Sequence, residues 1–184
     1  MPRRPLPDGW SRAQRRLHAA IALLVLAALA MAPVMVGLGY DRLLLTFLLY
    51  QAHKSVGLLV LLLAAALLLV HAARGRPAPE AGLPAWQRHA STAMHAALFG
   101  LLLAMPVLGY LTAASAPIAI PTFFLGIIPV PHLLAPDAAR FAWLRGLHEW
   151  AGWSLALLVA GHAGMAIRHH LQGRPTLRRM WRGG

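Results

Sequence analysis

Residues 147–170, LHEWAGWSLALLVAGHAGMAIRHH, are apolar enough to cross a bilayer, yet they carry four histidines, and His148 and His162 lie fourteen residues apart. At 100° per residue, fourteen residues bring a helix to within about 40° of a whole number of turns, so both imidazoles share one face, about 21 Å apart along the axis. An ionisable side chain inside a membrane helix is costly and marks a functional site by default. Two such groups on one face, one toward each membrane surface, are spaced for two stacked cofactors.

The rest of the chain repeats the apolar pattern. Of its 184 residues 59% are hydrophobic and only 12% charged, a balance that excludes an ordinary water-soluble domain. Runs long enough to span a hydrocarbon core, about 20 residues each, fall at 17–40, 44–73, 91–113 and 144–167. The first run continues through Met35 to Tyr40, too long for the apolar part of a cleavable signal peptide. The expected architecture is therefore all-α: one domain over 1–184, an integral membrane up-down-up-down four-helix bundle.

The net charge of +12 raises nucleic acid as a partner, and the placement of the basic residues decides against it. Thirteen of them (Arg3, Arg4, Arg12, Arg15, Arg16, Arg74, Arg76, Arg88, Arg168, Arg174, Arg178, Arg179 and Arg182) fall on one side of the membrane. Only Arg42, Lys54, Arg140 and Arg145 belong to the other. The positive-inside rule makes the thirteen cytoplasmic, and with them both termini. The basic tails then serve topology and contact with lipid headgroups.

The connections are short except for the second outer one. The loop at Gly37–Arg42 and the Pro-rich RGRPAPEAGLPAWQR have no room for a domain. Residues 113–143 are apolar but carry Pro117, Pro121, Pro129, Pro131 and Pro136, which predicts a cap lying at the outer interface. The C-terminal RPTLRRMWRGG reads as a short amphipathic surface segment.

Depth along each span, counted from the inner arginines at about 1.5 Å per residue, sorts the remaining histidines. His53 lies about 31 Å from Arg74 and His148 about 30 Å from Arg168, so these two form an outer pair. His162 lies about 9 Å above Arg168, and its partner is one of His18, His71 and His95; counting leans toward His95, about 10 Å from Arg88. His89, His132, His169 and His170 fall in loops or at the interface.

Two histidines on facing helices are too few for zinc, which takes about four protein ligands or three and a water. HEWAG also lacks the second histidine of a zinc-protease helix. Haem needs two axial nitrogens and apolar walls, and Gly57, Gly152 and Gly161 would let a flat macrocycle approach. The chain has no cysteine, so the haem must be non-covalent. Ligation by two histidines leaves no open iron position and points to electron transfer.

The segments RRLHAAIALL, YQAHKSVGLLVLLL, HAALFGLLLAMPVLGY, LHEWAGWSLALLVAGHAGMAIRHH and LRRM together resemble the bacterial cytochrome b561 family. Its members are dihaem four-helix proteins of the bacterial inner membrane, related to the cytochrome b subunits of hydrogenases and formate dehydrogenases. One departure is Ala19 after His18, where the family usually has Trp. The resemblance implies two haem b groups: a cytoplasmic-side one held by His18 and His162, and a periplasmic-side one held by His53 and His148. It thus chooses His18 over His95, which is left as a quinone-side residue or alternative ligand. It also implies ubiquinone as the electron acceptor and, from members that act as superoxide oxidases, an activity in which superoxide is oxidised at the periplasmic face. Lys54 and Arg145, beside the outer pair, would then steer a small anion inward. The other function that the resemblance allows is a non-catalytic cytochrome b subunit receiving electrons from a protein donor. A haem-free structural or transport bundle is the third.

Overall fold

A computed structural model describes residues 9–38, 40–77 and 82–181; Arg3, Arg4, Arg182, residue 39 of the first outer loop and residues 78–81 of the inner loop lie outside them. Four long helices carry the fold: α1 Arg12–Gly37, α2 Leu43–Arg74, α3 Ala85–Ser115 and α4 Ala138–Leu171. Each is long and apolar enough to cross a membrane. They extend past the expected spans by up to six residues at an end, because helical geometry continues past the hydrocarbon into the polar interface; α1 alone stops short, at Gly37 where the span was expected to reach 40. A short helix, α5 Thr176–Trp181, follows where an amphipathic surface segment was expected.

Sequence chemistry sets the helix ends. Ser11 and Gln14 form a reciprocal cap at the start of α1: the Ser11 hydroxyl accepts from the Gln14 N–H, and the Gln14 side-chain oxygen accepts from the Ser11 N–H at 2.9 Å. The buried Gln14 also donates from Nε2 to the Gly75 carbonyl at 2.9 Å, which ties the inner end of α1 to the inner end of α2. Gly75, at φ 76°, takes the chain out of α2 in a conformation that a side chain would resist. Asp137 caps α4 by accepting from the Arg140 N–H at 2.8 Å.

Packing is that of a membrane bundle. The buried cluster is small, Ile21 and Val25 of α1, Val60, Ala64 and Leu67 of α2 and Leu155 of α4. Large apolar side chains such as Leu23, Leu69 and Leu157 are more than two-thirds exposed, the arrangement expected when the solvent is lipid. The helices pack most closely in the order α1–α2, α2–α3 and α3–α4. Between the α1–α2 pair and α4, backbone approach is slight, and side chains bridge the gap.

The second outer connection, expected as a cap at the interface, contains strand pairing that the sequence did not announce. It folds as a hairpin, β1 Thr122–Phe124 paired antiparallel with β2 Ile128–Val130, and its first strand is pinned to the side of α2. Buried Gln51 donates to the Pro121 carbonyl at 2.7 Å and accepts from the Phe123 N–H at 3.0 Å. Buried Ser55 donates to the Phe123 carbonyl at 3.3 Å and accepts from the Leu125 N–H at 3.0 Å. The strand thus follows α2 inward for a full turn, and the polar side chains of α2 satisfy backbone groups that lipid would leave unpaired. Tyr110 of α3 holds the far side, donating to the Pro131 carbonyl and accepting from the Leu133 N–H, both at 3.0 Å. Fully buried Ser115 accepts from Arg140 Nε at 3.1 Å and closes the return into α4.

Replacing Gln51 by Leu leaves the Pro121 carbonyl and the Phe123 N–H without their partner. A buried group so orphaned costs about 1–3 kcal/mol. The variant is expected to show a lower thermal midpoint in detergent and new protease cleavage within 116–137; an unchanged midpoint and cleavage pattern would mean that the hairpin is not held this way.

Candidate functional site: two histidine pairs between the helices

The helices bring the histidines of the fourth span to partners on the first two. At one end His18 of α1 faces His162 of α4, ring centroids 6.2 Å apart and planes 53° to one another. At the other end His53 of α2 faces His148 of α4, also at 6.2 Å and 82°. Metal–imidazole bonds are about 2 Å long, so an iron midway between two imidazoles places their ring centres about 6 Å apart. Both pairs have that separation. His53, His148 and His162 are half-buried and His18 is exposed, so ring surface remains open to a ligand.

The Nδ1 atoms of His53 and His148 are buried without a hydrogen bond of acceptable geometry. Backbone of Ala28 stands beside His53 and backbone of Met105 beside His148, the place from which a carbonyl orients a metal-bound imidazole. No group of three or more metal-ligating side chains occurs among the described residues, so a zinc or calcium cage is absent from them. Two facing imidazoles per site in an apolar gap fit the axial ligands of a haem.

His95, the partner favoured by counting, also reaches His162, but with ring centroids 5.2 Å apart in an edge-to-face contact. That is nearly an ångström too close for an iron between them as they stand. Its Nδ1 donates to the Ser91 carbonyl at 2.6 Å, which fixes the ring on α3. The depth count placed His95 at the level of His162 but could not show that α3 is an immediate neighbour of α4, where the two rings touch edge to face. His71 stands apart from both pairs, between Trp10 at 5.5 Å and Phe99 at 5.8 Å.

Among residues matched to a sequence profile of the prokaryotic cytochrome b561 family are positions 9–183, nearly the whole chain. The chain belongs to the prokaryotic cytochrome b561 family. It is 34% identical over 133 residues to cytochrome b561 homolog 2 of Escherichia coli K12, covering 71% of this chain and 69% of that protein. It is 33% identical over 135 residues to cytochrome b561 homolog 1 of the same organism, covering 72% and 74%. With four spanning helices, it is a multi-pass protein of the bacterial inner membrane. Like other cytochromes b561, it binds haem b and transfers electrons.

Sequence reasoning missed Gly109. A Cβ there would stand 3.1 Å from Cε1 of His148, so a larger residue would press on that ring where it lies against α3. The one available signal was its place in AMPVLGY, where a helix-weakening residue follows Pro106 inside a span. Of the three glycines expected to make room for a macrocycle, Gly57 faces open space, whereas a Cβ added at Gly152 or Gly161 would stand 3.7 Å or 3.6 Å from the methyl group of Met105 or Met94, an ordinary contact. Lys54 and Arg145 both lie near the outer pair: Lys54 is half-buried and donates from Nζ to Thr122 Oγ1 at 3.0 Å, and Arg145 is exposed. Thr122 also contacts His132 Nε2 at 2.9 Å. Burial first and the nearby Lys54 charge second hold the His132 pKa below its ordinary value, so this imidazole is neutral near pH 7.

Three substitutions test the site. Gly109→Ala should push His148 off its position and lower the haem-to-protein ratio while the helical content stays unchanged. His18→Ala should remove one haem and His95→Ala none, as counted by pyridine haemochrome; full haem content without the His18 side chain would return His162 to another partner.

Proposed function

We propose that this cytochrome b561 carries two haem b groups, oxidises superoxide at the periplasmic face and reduces ubiquinone, a superoxide:ubiquinone oxidoreductase. His53 and His148 would hold the outer haem, and His18 and His162 the inner one. The observation that carries the reading is the equal 6.2 Å spacing of the two pairs, which share helix α4.

Haem, when bound at each pair, supplies one-electron storage and transfer. The chain's own residues do the rest. The two imidazoles of each pair would hold the haem iron and leave no room on it for an oxygen species. The apolar walls of α1, α2 and α4 exclude water and hold the pairs about 21 Å apart, fourteen residues along α4. At the outer end Lys54, Arg145, Arg42 and Arg140 present positive charge to an approaching anion, which raises its encounter rate. The balance is simple: two superoxide anions become two dioxygen molecules, and their two electrons with two protons from water convert one quinone to its quinol. His95, fixed beside His162 at the inner end, is suited to face the quinone.

The inner end bears Arg74, Arg76, Arg88 and Arg168, with α5 and its Arg178 and Arg179 beyond, so the same reading puts both termini in the cytoplasm. The partners are then membrane lipid, quinone and a small anionic donor, and the basic residues have no nucleic-acid role. A purely structural electron-transfer subunit would need a docking surface for a protein donor; the longest connection here, 116–137, is instead committed to covering the bundle.

Stopped-flow mixing of superoxide with the oxidised holoprotein tests this. The haem bands should reduce in a second-order reaction whose rate falls steeply with ionic strength, and Arg145→Gln should both slow it several-fold and flatten that dependence. Haems that stay oxidised in superoxide, yet reduce with a protein donor, would make the chain an electron-transfer subunit.

A further inference from the structure

Lys54 is the only lysine in a chain that has sixteen arginines. Every other basic position uses a guanidinium, a broad planar fork that is always charged, whereas here stands a compact ammonium on a flexible stem. It is also the basic residue next in sequence to a histidine of the outer pair.

The hairpin explains the choice. Gln51 and Ser55, on either side of Lys54 along α2, clamp β1 against the helix, and Thr122 at the start of β1 is thereby buried. The Lys54 ammonium donates to the Thr122 hydroxyl oxygen at 3.0 Å. The same hydroxyl meets His132 Nε2 at 2.9 Å on its other side. Thr122, held between Lys54 and His132, keeps the ammonium in place. Of its three N–H groups one is used, two are free, and no carboxylate pairs with Lys54 among the described residues. A half-buried cation with directed, unused donors is a site for an anion. A guanidinium would have to spread its fork where the strand already lies.

We infer that Lys54, held by Thr122 and His132, is a docking site for one small inorganic monovalent anion at the outer histidine pair. Lys54 contacts the anion; Thr122 and His132 are positioning residues that act through it. This rests on the superoxide reading for the identity of the reactive anion and for nothing else. It differs from steering, because steering needs charge at any nearby position and docking needs this ammonium on this hydroxyl.

Because Lys54 is the only lysine, acylation by a water-soluble amine reagent, located by peptide mass spectrometry, reports on it specifically. Full-length holoprotein is labelled with nitrate replacing a bulky organic sulfonate at constant ionic strength. Nitrate should slow Lys54 acylation saturably in the wild type and in Thr122→Ser, and should lose that effect in Thr122→Val, with the haem spectrum and content of all three the same. Lys54→Arg keeps the charge, yet should slow haem reduction by superoxide about tenfold, the loss expected for a hydrogen bond to a charged group. Nitrate without effect on wild-type acylation, equal protection in Thr122→Val, or no acylation of Lys54 under any condition would overturn docking; the first and last are also what a lysine consumed by a haem propionate would give. Full superoxide reactivity in Lys54→Arg would likewise reduce the residue to steering. Thr122-dependent protection by nitrate in a protein that superoxide cannot reduce would keep the docking site and remove the superoxide reading, so the two fail separately.

Discussion

Everything in this bundle hangs on the cost of an imidazole in hydrocarbon. A histidine among lipid-facing residues must find a partner for its ring nitrogens or weaken the fold. Here α4 carries two such rings on one face, and the other helices are arranged so that each ring meets a second imidazole at 6.2 Å. The outer rings leave Nδ1 atoms buried and unsatisfied. Under the proposed haem ligation the pairs would also be the points where α4 is joined to α1 and α2. In that view haem binding and helix assembly are one process, which explains why direct backbone packing is close within α1–α2 and α3–α4 and slight between α4 and the first two helices.

The two ends of the bundle differ in their chemistry. The inner end is rich in arginine and has an aromatic stack around His71, with Arg76 over Phe99 at 5.9 Å. The outer end is covered by a hairpin that borrows hydrogen bonds from Gln51 and Ser55 and fixes the single lysine. Inner charge is spread along a membrane surface, as topology requires, whereas outer charge is placed by specific bonds. The proposed oxidation of a small anion on one side and reduction of a quinone on the other would use that asymmetry.

Most of the fold was legible because bilayer thickness imposes a length on apolar runs that no other feature of the chain imitates. The fourteen-residue spacing of His148 and His162 was legible for the same reason, since a helix turns by a fixed angle, and so was the depth match of His53 to His148. The partner of His162 was not, because depth counting has no information on which helices are neighbours; His95 and His18 differ in lateral position, and the family resemblance supplied the choice of His18 that the ring distances accommodate. The hairpin escaped because its register is set by side chains of α2, seventy residues earlier, and its own Pro-rich apolar stretch has neither a helical nor a strand period. Gly109 escaped because its role is an absence of atoms against a ring on another helix.

The central claim is that each histidine pair binds one haem through both axial positions. Haem quantitation against protein concentration, combined with low-temperature electron paramagnetic resonance of the oxidised protein, tests it directly. Two haems b per chain, both giving low-spin signals without a high-spin component, are expected from the two pairs. A single haem per chain, or a high-spin signal that persists in intact protein, would contradict it.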